Sequence, residues 1–254
     1  MKLKVLGCYG GQAPGFHLSS FLIDDHYLLD AGAACASLGF AEQAQIHHVF
    51  LTHSHLDHIC GLFFLADNVL GQRKAPVTVY SIPYVVHSIK EHLLNNKIWP
   101  DFTRIPDPKS PTLSLKVIGE GSSHSIGSLD FLPIAVNHTV PAVGYLVKGE
   151  KGSILYTGDT GPTEKIWKVA ASLSDLKAIL VEVSFPNRLQ DIADLSGHLT
   201  PQGLEAELAK AKNPSSPLYI THIKPQFLEE IAQELHFPRG KRMHILEQGK
   251  TYHF

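Results

Sequence analysis

The string Thr52-His53-Ser54-His55-Leu56-Asp57-His58 places three imidazoles and one carboxylate within six residues. Such groups crowded into one place repel or lose hydration unless a cation joins them, so the string calls for a metal. In an extended stretch His53 and His55 point the same way. Asp57 and His58, at the start of a following helix, can turn toward a second ion, so the spacing suggests two metals. The chain carries 16 histidines in 254 residues, an excess that points the same way, to metal or proton chemistry.

The elements that must position these residues follow from local pattern. Leu3 to Gly7, Ser20 to Ile23 and Tyr27 to Leu29 read as strands, with Asp24-Asp25 as the hairpin turn between the last two. A helix through Cys35 to Ala44 is expected next. His48 to Thr52 reads as a short buried strand that delivers its C-terminal end to the metal string. Further strands are expected at Val77 to Ser81, Leu113 to Ile118, Leu129 to Asn137, Val143 to Lys148 and Ser153 to Thr157. Pro83 suits the first position of a helix reaching about Asn95, and Thr200-Pro201 opens a helix over Gln202 to Lys212. Leu218 to Thr221 and Met243 to Leu246 close the chain as strands. A Pro- and aromatic-rich excursion near residues 97–111 is too rich in proline for a helix and of the kind that often rims a pocket.

With 254 residues, 44% of them hydrophobic and 18% charged, the chain can bury a large core, and a short disulfide-stapled scaffold is excluded. The 22 Lys and Arg against 24 Asp and Glu leave a net charge of −2, so no overall field gathers nucleic acid or anionic lipid. Cys8, Cys35 and Cys60 show no CxxC spacing and suit a reducing compartment. The N-terminal residues alternate like a strand and lack the apolar core of a signal peptide, and no apolar run is long enough to span a membrane. A cytoplasmic protein of one domain, residues 1–254, is expected.

The His53-to-His58 string resembles the signature of the metallo-β-lactamase superfamily. The resemblance implies an α/β chain folded as a four-layer αββα sandwich, with further ligands supplied from strand ends in the order His, Asp, His. The sequence offers Asn137-His138-Thr139, Thr157-Gly158-Asp159 and Thr221-His222-Ile223, each after an expected strand. By that resemblance His53, His55 and His138 hold one zinc, Asp57, His58 and His222 the other, and Asp159 bridges them. His47, His87, His92, His236, His244 and His253 have no such support and are read as surface or helix residues.

Three longer strings resemble class II cyclic-nucleotide phosphodiesterases: His53 to Gly61, Val181 to Arg188 with Ser196 to Pro201, and Tyr219 to Pro225. This resemblance implies hydrolysis of a 3′,5′-cyclic nucleotide, cAMP or cGMP, to the 5′-monophosphate. The expected partner is a small molecule, with no nucleic acid and no membrane. Two zinc ions, for which manganese or iron can stand in, would activate a bridging water to attack phosphorus in line with the departing O3′. His198 is expected to protonate that oxygen, Glu182 to fix the tautomer of His198, and Asp57 to share the proton work. Asn187, Arg188 and the aromatics Trp99 and Phe102 are the candidate base contacts. His17 joins them because family members place a substrate-facing loop there. Many family members dimerise, so a homodimer stands among the expected assemblies.

Two other readings stand beside this one. RNase Z-like tRNA 3′-processing endonucleases share the Glu182-to-His198 spacing and the His138-Thr139-Val140-Pro141 string, but carry a long basic Gly/Pro-rich arm that this sequence lacks. From a different class, the chain would be a metal- or nucleotide-binding protein without turnover.

Overall fold

A computed structural model describes residues 1–210, 216–235 and 243–254. Two seven-stranded sheets face each other. The first runs, edge to edge, Thr251–His253, Lys2–Gly7, Ser20–Ile23, Tyr27–Leu29, His48–Phe50, Val77–Ser81 and Leu113–Val117. The second runs Met243–Ile245, Leu218–Thr221, Leu176–Glu182, Gly152–Tyr156, Ala142–Gly149, Leu129–Val136 and His124–Ile126.

Period-two alternation explains why the second sheet is buried on both faces. Along Leu176–Glu182, Ala178 and Leu180 enter the core between the sheets, while Ile179 and Val181 enter an outer core. That outer core also takes Ile166 and Trp167 from helix Lys165–Ser172, Leu204 and Leu208 from helix Pro201–Lys210, and Ile231 from helix Leu228–Glu234. Helix Leu56–Val69 covers the first sheet with Ile59, Leu62, Leu65, Ala66 and Val69. It approaches so closely that a Cβ on Gly61 would stand 2.2 Å from the Ala31 carbonyl oxygen. The result is the four-layer αββα sandwich expected from the sequence. Among the described residues no helix is long and apolar enough to cross a membrane, and the three cysteines are unpaired.

Most element bounds fall within one or two residues of those read from the sequence, and the Asp24-Asp25 turn has the positive φ values of a tight hairpin, 46° and 62°. Two helices differ. The stretch Cys35 to Ala44 is two short helices, Ala34–Ser37 and Phe40–Gln43, because the Gly39 N–H donates to the Glu42 carboxylate and restarts the chain there. Helix Pro83–Ser88 continues into a widened turn, Ile89–Leu93, closed by a bond from the Leu94 N–H to the Ile89 carbonyl. Lys212, the expected end of the helix after Thr200, lies outside the described residues, as does His236.

The excursion near 97–111 is pinned down more firmly than a surface loop. Phe102 is 2% exposed and Asp101 is buried beneath Lys90. The Trp99 indole N–H donates to the Phe63 carbonyl. Phe102 is therefore a core residue, and its ring is not open for stacking on a base.

The sheets meet at Phe50, fully buried, whose ring stacks 3.6 Å from Phe131 of the opposite sheet and 4.9 Å from Tyr80. Phe50→Ala should cost about 3–5 kcal/mol of unfolding free energy, read by urea denaturation. A loss below about 1 kcal/mol would show that the sheets do not depend on this stack.

Candidate metal centre

Strand direction gathers the ligand-type residues at one edge of the sandwich. Gly152–Tyr156, Leu176–Glu182 and Leu218–Thr221 are parallel, and Leu129–Val136 runs the same way because two antiparallel pairings separate it from Gly152–Tyr156. Their C-terminal ends therefore deliver His138, Asp159, Glu182 and His222 to the same place. From the first sheet, the loop after His48–Phe50 supplies His53 and His55. The first turn of helix Leu56–Val69 then supplies Asp57 and His58. A Cβ on Gly10 would stand 2.7 Å from the His222 ring, so glycine lets the segment after the first strand pass close behind it.

The hydrogen-bond network assigns a tautomer to the buried imidazoles. Asp30, fully buried, accepts from the Thr52 N–H at 2.8 Å, the Thr52 hydroxyl at 2.9 Å, the His58 Nδ1–H at 2.8 Å and the Tyr156 hydroxyl at 2.9 Å. Having given its proton to Asp30, the Thr52 hydroxyl accepts from His53 Nδ1–H, 3.0 Å away. His138 Nδ1–H donates to the Gly197 carbonyl at 2.8 Å. In each case the remaining Nε2 presents a lone pair to the centre.

Among the described residues four overlapping groups of donors result: His53 with His55 and His138, Asp57 with His58, Asp159 and His222, and two that take in His198, with His138 and Asp159 or with Glu182 and His222. Asp159 Oδ2 lies 3.2 Å from His58 Nε2, 3.2 Å from His222 Nε2 and 3.7 Å from His53 Nε2, so it touches the first two groups. The second oxygen of Asp159 and the Nε2 of His53 are buried with no hydrogen-bond partner. His55 Nδ1 faces His138 Nε2 at 3.1 Å, and His58 Nε2 faces His222 Nε2 at 3.1 Å. Orphaned buried acceptors and opposed imidazole nitrogens are what a cation would satisfy, and ligands on a tetrahedral zinc stand about 3.3 Å apart. The residues present fit a metal.

Electrostatics agree. Burial, then the neighbouring His58, holds His53 well below the usual imidazole range, and burial also lowers His55 and His138. Burial opposes charge on His58 too, but the Asp159 and Asp30 carboxylates outweigh it and raise its pKa well above the ordinary value. Burial would raise Asp159, yet His222 and His58 hold it well below the carboxylate range. The protein thus keeps His53, His55 and His138 neutral beside anionic oxygens, as metal ligation requires, while the two carboxylates around His58 draw positive charge to its position.

His198 stands beside this cluster, its ring 5.1 Å from His138 and 5.4 Å from His222. Its Nδ1–H donates to Glu182 Oε1 at 2.7 Å, and Thr200 caps the next helix through the Gly203 N–H. Burial lowers its pKa, but the Glu182 carboxylate wins and raises it.

Other candidates are engaged elsewhere. The Arg188 guanidinium pairs with Glu230 at 2.8 Å and covers the Phe227 ring. Asn187 Oδ1 accepts the Gln202 N–H. His17 Nδ1 meets the Ser37 hydroxyl, fixing its loop to the first sheet. Asp30, Thr52 and Ser184 were not among the residues singled out from the sequence. Asp30 had a signal of its own, an acid set directly after the apolar strand Tyr27–Leu29.

Fold and site together define a β-lactamase superfamily protein: the model of the beta-lactamase superfamily domain matches residues 27–223, and the chain belongs to that family. It is 28% identical over 247 residues to a probable 3′,5′-cyclic-nucleotide phosphodiesterase of Yersinia pestis, covering 86% of this chain and 69% of that one. It is 29% identical over 208 residues to 3′,5′-cyclic-nucleotide phosphodiesterase 1 of Saccharomyces cerevisiae, covering 69% of this chain and 55% of that one. The crystal structure of unliganded yeast PDE1 superposes with a TM-score of 0.80 at 20% identity, covering 98% of both chains.

Asp30→Asn puts an amide N–H₂ against groups that themselves donate, so it should free the imidazoles of both His53 and His58. Metal affinity, read by competition with a chromophoric chelator, should fall about 10–100-fold. Unchanged affinity would remove Asp30 from the support of the centre.

Proposed function

We propose that the protein is a metal-dependent phosphodiesterase that hydrolyses 3′,5′-cyclic nucleotides to 5′-monophosphates. The observation that carries this reading is the Glu182–His198 pair, 2.7 Å apart, set against the donor cluster. Two divalent ions, zinc or else manganese or iron, would be held by His53, His55 and His138 and by Asp57, His58 and His222, with Asp159 between. When bound they would lower the pKa of water and neutralise phosphate oxygens.

The chain's own residues supply the proton movements. Glu182 holds His198 Nδ1–H, and among the described residues Nε2 has no hydrogen-bond partner. Protonated His198 gives its Nε2 proton to O3′ as the P–O3′ bond breaks, and keeps its Nδ1 proton, which it donates to Glu182. Asp57, with 31% of its side chain exposed, faces solvent at the cluster and takes the proton of the attacking water.

We assign the nucleoside to a cleft beside the donor cluster. A cleft of about 310 Å³ opens between Gly11–Phe16 and Pro225–Gln226, next in sequence to Gly10 and two residues past Ile223. Gln12 and Gln226 line it, and an amide can pair with two atoms of a base edge. A small substrate also suits the surface: Lys2, Lys4, Lys90, Lys165, Arg188, Lys210 and Lys250 each pair with an acid. Cations already neutralised in this way offer little counterion release to a polynucleotide.

Zinc-loaded protein should release 5′-monophosphate from 3′,5′-cyclic AMP or cyclic GMP, and a chelator should abolish it. Cleavage of bis(p-nitrophenyl) phosphate and pre-tRNA, with the cyclic nucleotides untouched, would overturn the reading in favour of an endonuclease. His198→Ala should lower turnover about 10²–10⁴-fold with metal content unchanged. Wild-type turnover in that variant would remove His198 from the chemistry.

A further inference from the structure

We infer that Ser184 is a positioning residue that ties the Asp57, His58, Asp159 and His222 half of the metal centre to His198, so that filling this half-site and orienting His198 are linked. The role of His198 rests on the phosphodiesterase reading; the effect on metal binding does not.

Ser184 is fully buried at the end of strand Leu176–Glu182. Its Oγ lies 2.8 Å from Glu182 Oε2, 2.9 Å from His222 Nδ1, 3.2 Å from His198 Nδ1 and 3.2 Å from the His222 carbonyl. The hydroxyl has one proton and two lone pairs. Glu182 can only accept, and it is the nearest partner, so the proton goes to Oε2. His222 Nδ1–H must then donate to Ser184, which leaves His222 Nε2 as the lone pair aimed at Asp57 and Asp159, 3.3 and 3.2 Å away.

Glu182 itself cannot turn. Oε1 accepts from the Thr160 N–H at 2.8 Å and from His198 Nδ1–H, and Oε2 accepts from Ser184 and from the Leu199 N–H at 3.3 Å. Two imidazoles, stacked at 22°, therefore hang from one fixed carboxylate, His198 directly and His222 through a hydroxyl. His222 adopts φ 61°, a left-handed conformation that a non-glycine residue keeps only when its surroundings hold it. The bond from the His222 N–H to the Cys8 carbonyl, 2.7 Å, and the bond from its Nδ1–H to Ser184 are part of that hold. Among the described residues no hydrogen bond links Ser184 to His53, His55 or His138; Thr52 supports His53 and the Gly197 carbonyl supports His138.

Removing the hydroxyl should therefore weaken one half-site alone. In zinc titrations of metal-free protein by calorimetry, Ser184→Ala should bind the second ion about 10–100-fold more weakly and the first as wild type does. Ser184→Thr, which keeps the hydroxyl, should restore the second affinity. With ¹⁵N-labelled histidine, the second zinc should shift the His198 ring nitrogens in wild type and leave them unmoved in Ser184→Ala. At saturating zinc the same variant should lower kcat for cyclic AMP with KM unchanged.

Wild-type affinity at both half-sites in Ser184→Ala, or equal weakening at both, would overturn the proposal. If wild-type protein hydrolyses no cyclic nucleotide, the phosphodiesterase reading fails, and the zinc titrations still decide the metal-binding role of Ser184.

Discussion

The Asp30 carboxylate sits without solvent between the two sheets and accepts donors from both. Thr52 and His58 come from the first sheet's metal-facing loop and helix, and Tyr156 comes from a central strand of the second. A buried carboxylate is tolerable only when its lone pairs are all occupied. That condition fixes the loop that carries His53, the helix start that carries His58, and the separation of the sheets at their shared edge. The metal centre inherits its geometry from this one group.

On the other side of the centre Glu182 plays the corresponding part. It too is buried, and it receives two backbone N–H groups and two side chains. The two acids divide the work by position. Asp30 orients ligands of both half-sites from the first sheet, while Glu182 holds His198 beside them. Negative charge is thus placed behind the imidazoles, where it makes each ring a better donor to a cation and a better carrier of a proton.

The clustered donor residues were legible in the sequence because their types are distinctive and several follow an apolar run that reads as a buried strand. His53, Asp159 and His222 announce themselves in that way. Asp30 and Ser184 did not, since a single Asp or Ser after a strand is commonplace and acquires meaning only from its partners. For Asp30 the partner is Tyr156, 126 residues on, and for Ser184 it is His222, 38 residues on. Arg188, a candidate base contact by its place after the Glu182 strand, is paired with Glu230, 42 residues on, which local pattern does not reveal. Phe102, a candidate for stacking on a base, is instead packed in the core. Local pattern predicts elements and their ends well. It is silent about which distant side chain will meet them.

His58 and His222, whose ring nitrogens meet at 3.1 Å, are 164 residues apart in the chain. The donors of the second half-site therefore cannot assemble until strand Leu218–Thr221 has been synthesised and docked. His53 to His58 precede that strand by about 160 residues and without it lack their distant partners. Tight capture has to wait for the closing strand. A metal centre built on these donors would thus fill late in folding, and a chain truncated before Leu218 would lack it.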